Sequence, residues 1–203
     1  QKTSNGTTEQ IDVINSAIDI LKNNKQNILL ISGFPGKGKT TTLMLLLDVI
    51  AHDKKLYSLF IELQHHIIYF DSIKDYNQLL YCLSHPEKQR DKIFIIDNIH
   101  KFTTLSINEI MNKIKNLLTY SLEEKRKVLF VLMFQRTDSN MAAYEYIKHT
   151  FFYDSINTFN LNQKCSNIKN ECESNFFFQD FIDNIGNIEE AEFVKNHLGK
   201  VAT

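Results

Sequence analysis

The chain has 203 residues, 43% hydrophobic and 23% charged, enough for one domain with its own core, or one and a small appendage, and not the composition of a disordered chain. Lys and Arg total 23 against 24 Asp and Glu, a net charge of −1, which argues against a strongly basic nucleic-acid scaffold though not against a local basic patch. No run nears the ~18 apolar residues of a membrane-crossing helix, so no membrane is expected among its partners.

In chain order, residues 9–23 carry Ile11, Ile14, Ile18 and Leu21 at helical spacing and predict an amphipathic helix. The short apolar run 27–32 predicts a buried strand. Residues 40–50 have no breaker and many Leu, predicting a buried helix. A second strand is expected over 56–63, and 65–70 reads either as its extension or as an extra strand. Residues 75–83 predict a short helix stopped by Ser84-His85-Pro86. The run 92–97 is apolar and ends on an acid. Residues 105–118 place Ile107, Ile110, Ile114, Leu117 and Leu118 on one helical face. A strand follows over 127–134, a helix over 141–149 and a last strand over 155–161. Beyond 163 the pattern turns helical, around 176–185 and 188–198. Strands without polar alternation are buried on both faces, and helices between them indicate a three-layer α/β fold with a mostly parallel sheet. We expect a core over residues 1–162 and a helical extension over 163–203, the start of a lid or small helical subdomain. A chain beginning at Gln1 without Met or apolar leader suggests a piece of a longer protein.

The glycines point to chemistry. There are six Gly and two Pro in all, yet Gly33, Gly36, Gly38 and Pro35 fall together. Gly33-Phe34-Pro35-Gly36-Lys37-Gly38-Lys39-Thr40 fits G-x-x-x-x-G-K-[ST], with a strand before it and a helix after it. Glycines let successive N–H groups turn inward onto phosphate oxygens, and the helix start adds unpaired N–H groups and the positive end of its dipole. Lys39 is the candidate for the β- and γ-phosphates and Thr40 for Mg²⁺, with the nucleotide-contacting stretch running on to Thr41. Lys37 more simply points to solvent.

Asp97 ends a buried strand, the placement of an acid that holds Mg²⁺ beside a phosphate loop. Asn98 follows where many ATPases carry a catalytic Glu. Asn takes no proton, so it can only orient water. Glu62, at the end of the expected second strand, is an alternative base, since some recombinase-like ATPases carry their glutamate there. His65, His66 and His100 read as structural, His100 being the best placed. Arg136, directly after the strand 127–134, is a candidate γ-phosphate sensor with Gln135 beside it. Arg90 and Arg126 lie in charge-rich loops and read as solvated. Cys82, Cys165 and Cys172, odd in number and without a CxxC pair, match reduced cytosolic thiols and no metal pattern.

The order Gly33–Thr40, then Ile93-Phe94-Ile95-Ile96-Asp97-Asn98, then 129–134 with Gln135-Arg136, resembles the STAND class of P-loop NTPases, the NACHT and NB-ARC signalling ATPases related to AAA+ proteins. In that class the third motif is a strand ending in a Thr/Ser-Arg pair whose Arg approaches the γ-phosphate. Arg136 matches, and Gln135 replaces the hydroxyl. Further acids that NACHT proteins carry after the strand-end Asp are here Ile99, His100 and Lys101. A narrower likeness, over strand 127–134, strand 155–161 and a helix ending near Leu198-Gly199-Lys200, is to the NTPase module of the sterile-alpha-motif antiviral factors.

The class implies a switch holding ATP or ADP with Mg²⁺ and hydrolysing slowly or not at all, inside a cytoplasmic multidomain signalling or innate-immune protein. Its partners would be other domains of the same chain, with nucleotide-dependent self-association. The alternative is a steadily turning AAA+-type ATPase acting on protein or nucleic acid, with Glu62 or Asn98 activating water and Arg90 or Arg126 acting in trans. Three Arg are few for a kinase lid, and the guanine-reading N-K-x-D is absent, because Asn112-Lys113-Ile114-Lys115 lacks the Asp.

Overall fold

The computed structural model describes residues 8–23, 28–36, 38–53, 56, 66–71, 74–152 and 158–161. Helix α1 (Thr8–Asn23) leads into β1 (Ile28–Gly33) and α2 (Lys39–His52), followed by β2 (Ile67–Asp71) and α3 (Tyr76–Ser84). Next come β3 (Lys92–Asp97), α4 (Thr104–Glu123), β4 (Val128–Gln135), α5 (Met141–Phe151) and β5 (Thr158–Leu161). The five strands form one sheet in the order β2-β3-β4-β1-β5, every neighbouring pair parallel.

Side chains alternate across a strand, so each central strand feeds two cores. Leu29, Ile31, Ile93, Ile95, Leu129, Val131 and Met133 pack on one face under α1 and α2. Leu30, Phe94, Ile96, Phe130, Leu132 and Phe134 pack on the other under α3, α4 and α5. On that second face Phe94 and Phe130 are register partners, their rings stacked 4.7 Å apart and 9° from parallel. Such a pair adds ~0.5–1.5 kcal/mol beyond the area it buries. α4 is capped by Thr103, whose hydroxyl accepts from the Ser106 N–H at 3.2 Å.

The expected three-layer α/β architecture and parallel sheet hold. Of the two runs expected to follow α2, 56–63 is described only at Leu56, which is helical and buried, its other residues lying outside the described ones, while 65–70 supplies the strand Ile67–Asp71, beside β3 at the end of the described sheet. Two apolar runs follow α2, and an edge strand needs only one ladder, so either run satisfies the local pattern. The inner stripe of α1 is also rotated from expectation. Val13, Ile14, Ala17, Ile20 and Leu21 are buried, while Ile18 is only partly covered, because α1 packs in the groove between α2 and β5. The expected extension 163–203 lies outside the described residues, as do Lys37, Glu62 and His65.

Candidate nucleotide site

In a parallel sheet all strands end on one edge, and loops leaving that edge meet there. β1 ends at Gly33, which pairs in register with Gln135, while Asp97 ends β3 on the far side of β4. The loop from Gly33 to α2 takes positive φ at Gly36 (77°) and at Gly38 (81°), the latter being the N-cap of α2. A side chain is strained at both, which is what the glycines supply. Lys39 is 9% exposed, and its ammonium lies back over the loop, donating to the carbonyls of Gly33 at 3.1 Å and Phe34 at 3.3 Å. Thr40 and Thr41 follow in the first turn of α2, half-buried. The Gly38 carbonyl accepts from the Thr42 hydroxyl at 2.7 Å, its N–H at 2.9 Å and, at 3.4 Å, the buried Gln10 amide of α1.

Asp97 is held on two sides. Its Oδ2 accepts from the Tyr69 hydroxyl at 2.6 Å and its Oδ1 from the Asn98 N–H at 2.8 Å. Burial pushes its pKa above the usual carboxylate range; these two hydrogen bonds oppose that, the charge of Asp71 adds to it, and Lys39 offsets part. The Tyr69 hydroxyl is pushed far up as well, first by burial and then by Asp97, so it stays a donor. Asn98 adopts the left-handed conformation (φ 58°, ψ 34°), and its Nδ2 donates to Asp71 Oδ2 at 2.8 Å.

His100 joins this turn to β4: its Nδ1 accepts from the Gln135 N–H at 3.2 Å, and its ring meets Phe134 edge-on at 5.7 Å. Burial, then Lys101 and Lys39, lower its pKa to about 4, so the ring is neutral near pH 7 with its proton on Nε2. Arg136 is 8% exposed; its N–H donates to the Gly33 carbonyl at 2.9 Å and its guanidinium stacks over Phe34 of the loop and Tyr144 of α5. Pro35 of the loop is exposed.

The sheet thus brings Gly33, Phe34, Gly36, Gly38, Lys39, Thr40, Asp97, Asn98 and Arg136 to one edge. Sequence reasoning missed Asp71 and Tyr69, since their importance appears only when β2 is placed at 67–71. It also misread Arg126, whose guanidinium clamps the carbonyls of Pro86, Glu87 and Gln89 at 3.1–3.2 Å and lies over Tyr120, while Arg90 is exposed as expected. His66 is structural, its Nδ1 lying 2.6 Å from the Asp91 carbonyl. Among the described residues no cluster of His, Cys, Asp and Glu forms a metal site, and no helix is long and apolar enough to cross a membrane. The donor set nevertheless suits a small hard dication bound with a nucleotide. The Thr40 hydroxyl and Asp97 carboxylate are oxygen donors, and Asp97 carries a buried charge that a cation would relieve.

A parallel sheet of this order, with a glycine-rich lysine loop between β1 and α2 and an acid ending β3, defines a P-loop NTPase. Within that class the chain belongs to the Novel STAND NTPase 3 family, whose model matches residues 10–198. No curated protein matches the chain. Among solved structures it is similar to C. elegans PCH-2, with 13% identity and a TM-score of 0.40, over 76% of this chain and 41% of that one. It is similar to the DnaC helicase loader, with 13% identity and a TM-score of 0.40, over 78% of this chain and 92% of that one. It is also similar to Bacteroides Pif1 bound to ssDNA, with 19% identity and a TM-score of 0.36, over 92% of this chain and 48% of that one. The chain therefore spans half or less of the length of PCH-2 and Pif1.

Proposed function

We propose that this chain is a nucleotide-gated switch: it binds ATP or ADP with Mg²⁺ at loop 33–41, turns over slowly, and reports the nucleotide to other domains of the same protein. The observation that carries this reading is Arg136, whose guanidinium lies against Phe34 of the phosphate loop and Tyr144 of α5. A γ-phosphate arriving at the loop competes for that cation, so triphosphate and diphosphate favour different placements of β4's end and α5. Differential affinity of this kind is what a switch requires. Lys39 would bind the β- and γ-phosphates, while Thr40 and Asp97 would hold Mg²⁺, which neutralises phosphate charge when bound. A cytoplasmic signalling or innate-immune setting, self-association and a boundary near 162 between core and helical extension extend this reading by resemblance.

The test is calorimetric titration of ATP and ADP with Mg²⁺ into the wild type and Lys39→Ala, with phosphate release followed in parallel. We expect Lys39→Ala to weaken ATP at least about tenfold, or ~1.4 kcal/mol, and wild-type release to be slow. Equal affinities would remove the phosphate-loop assignment, and brisk release would move the protein to the working ATPases.

A further inference from the structure

Among the described residues, the strand that follows α2 is β2, which ends at Asp71. The β2–β3 register sets Asp71 directly opposite Asp97. Two carboxylates therefore end adjacent strands on the edge that carries the phosphate loop. Their surroundings separate their roles. Asp97 is tied by Tyr69 and by its neighbour's N–H. Asp71, half-buried, takes the Asn98 amide at 2.8 Å and the Lys74 N–H at 3.3 Å. Asn98 reaches it because its backbone is left-handed, a conformation Asn tolerates better than most residues with a side chain.

We propose that Asp71 is the catalytic carboxylate for hydrolysis of the bound nucleoside triphosphate, with Asn98 as its positioning residue. This rests on the nucleotide reading above and adds to it the step that resets the switch. Water oxygen forms a bond to the γ-phosphorus. The bond from that phosphorus to the bridging oxygen breaks, its electron pair leaving on the nucleoside diphosphate. The proton lost by the water passes to Asp71 and then to solvent. Asn98 accepts no proton but fixes the group that does.

The experiment measures single-turnover phosphate release from MgATP, and ATP affinity, for wild type, Asp71→Asn and the exchange variant Asp71→Asn/Asn98→Asp. Asp71→Asn should cut release on the order of 10²-fold, the lower end for losing a general base, while ATP affinity and its Mg²⁺ dependence stay within about threefold. The exchange variant returns a carboxylate to the same hydrogen-bonded pair and should recover at least about tenfold of the lost rate. Wild-type release in Asp71→Asn, release and affinity lost together, or an exchange variant no faster than Asp71→Asn would each overturn the assignment. A wild type that binds ATP without releasing phosphate overturns it too and leaves the nucleotide reading standing. A wild type that takes up no nucleotide overturns that reading itself.

Discussion

The guanidinium carbon of Arg136 lies 5.0 Å from the centre of the Phe34 ring and 5.6 Å from that of Tyr144. One buried cation therefore joins the phosphate loop to helix α5, and each contact is worth ~0.5–2 kcal/mol depending on desolvation. Arg136→Ala should lower the melting temperature and bring ATP and ADP affinities together. Arg136→Lys should fail to restore the difference, because a compact ammonium cannot lie flat on a ring or present a planar fork to phosphate. The check is the ratio of ATP to ADP affinity in the three proteins; an unchanged ratio in the alanine variant removes the sensor role.

Burial of Asp97 couples the stability of the fold to pH. Its native pKa is raised by burial above the unfolded value near 3.9. The native state then keeps this proton to higher pH than the unfolded chain. The cost of ionising it is absent below about pH 4 and fully present above the raised value. Asp97→Asn removes the cost and keeps an acceptor for the Asn98 N–H. Its melting temperature without nucleotide should exceed that of wild type at pH 7, the gap closing toward pH 4, and its nucleotide binding should lose its dependence on Mg²⁺. A variant less stable than wild type at both pH values would refute this account of the carboxylate.

His100 has the opposite sign. Its native pKa falls to about 4 while the unfolded ring titrates near 6.5. The unfolded chain takes up the proton first as pH drops, so this residue subtracts stability progressively between about pH 6.5 and pH 4. Asn can offer an oxygen where Nδ1 meets the Gln135 N–H. His100→Asn should therefore unfold at nearly the wild-type urea concentration at pH 7 and at a higher one than wild type at pH 5. Parallel loss of stability in both proteins between those values would leave His100 without a part in the acid response.

Where burial dictates the pattern, the fold was legible. β3 was expected over 92–97 and is Lys92–Asp97, because polar Lys92 and Asp97 bracket four residues buried on both faces. α4 shows the same clarity, its Ile107, Ile110, Ile114 and Leu117 all buried. The edge strand β2 was harder. Its Ile68 and Tyr69 are only partly covered, and a second apolar run lies upstream. With 65–70 open between extension and separate strand, Asp71 and Tyr69 stayed hidden, since an acid or a phenol gains meaning only from the strand end or face it occupies. Arg126 misled for another reason: its neighbours are charged, but its partners are carbonyls from about 40 residues upstream, which no local pattern reveals.

The phosphate loop offers a backbone test. At Gly36 φ is +77° and a Cβ would meet nothing within 4 Å. The cost of a side chain there is conformational and not steric. Gly36→Ala should destabilise the protein by ~1–2 kcal/mol, and Gly36→Asn by less, as Asn tolerates the left-handed region. Denaturant unfolding of the two variants measures it; an alanine variant as stable as wild type would contradict this loop conformation.

The Gln10 amide donates to the carbonyl of Gly38, the N-cap of α2. Helix α1 is thereby a handle on the phosphate loop from the outside. Any force that slides α1 along α2 spends part of its work at the loop, and any ligand that stiffens the loop resists that slide by the same amount, since linkage between two sites runs equally in both directions. Helix α1 thus ties the wall of the core to the mouth of the loop.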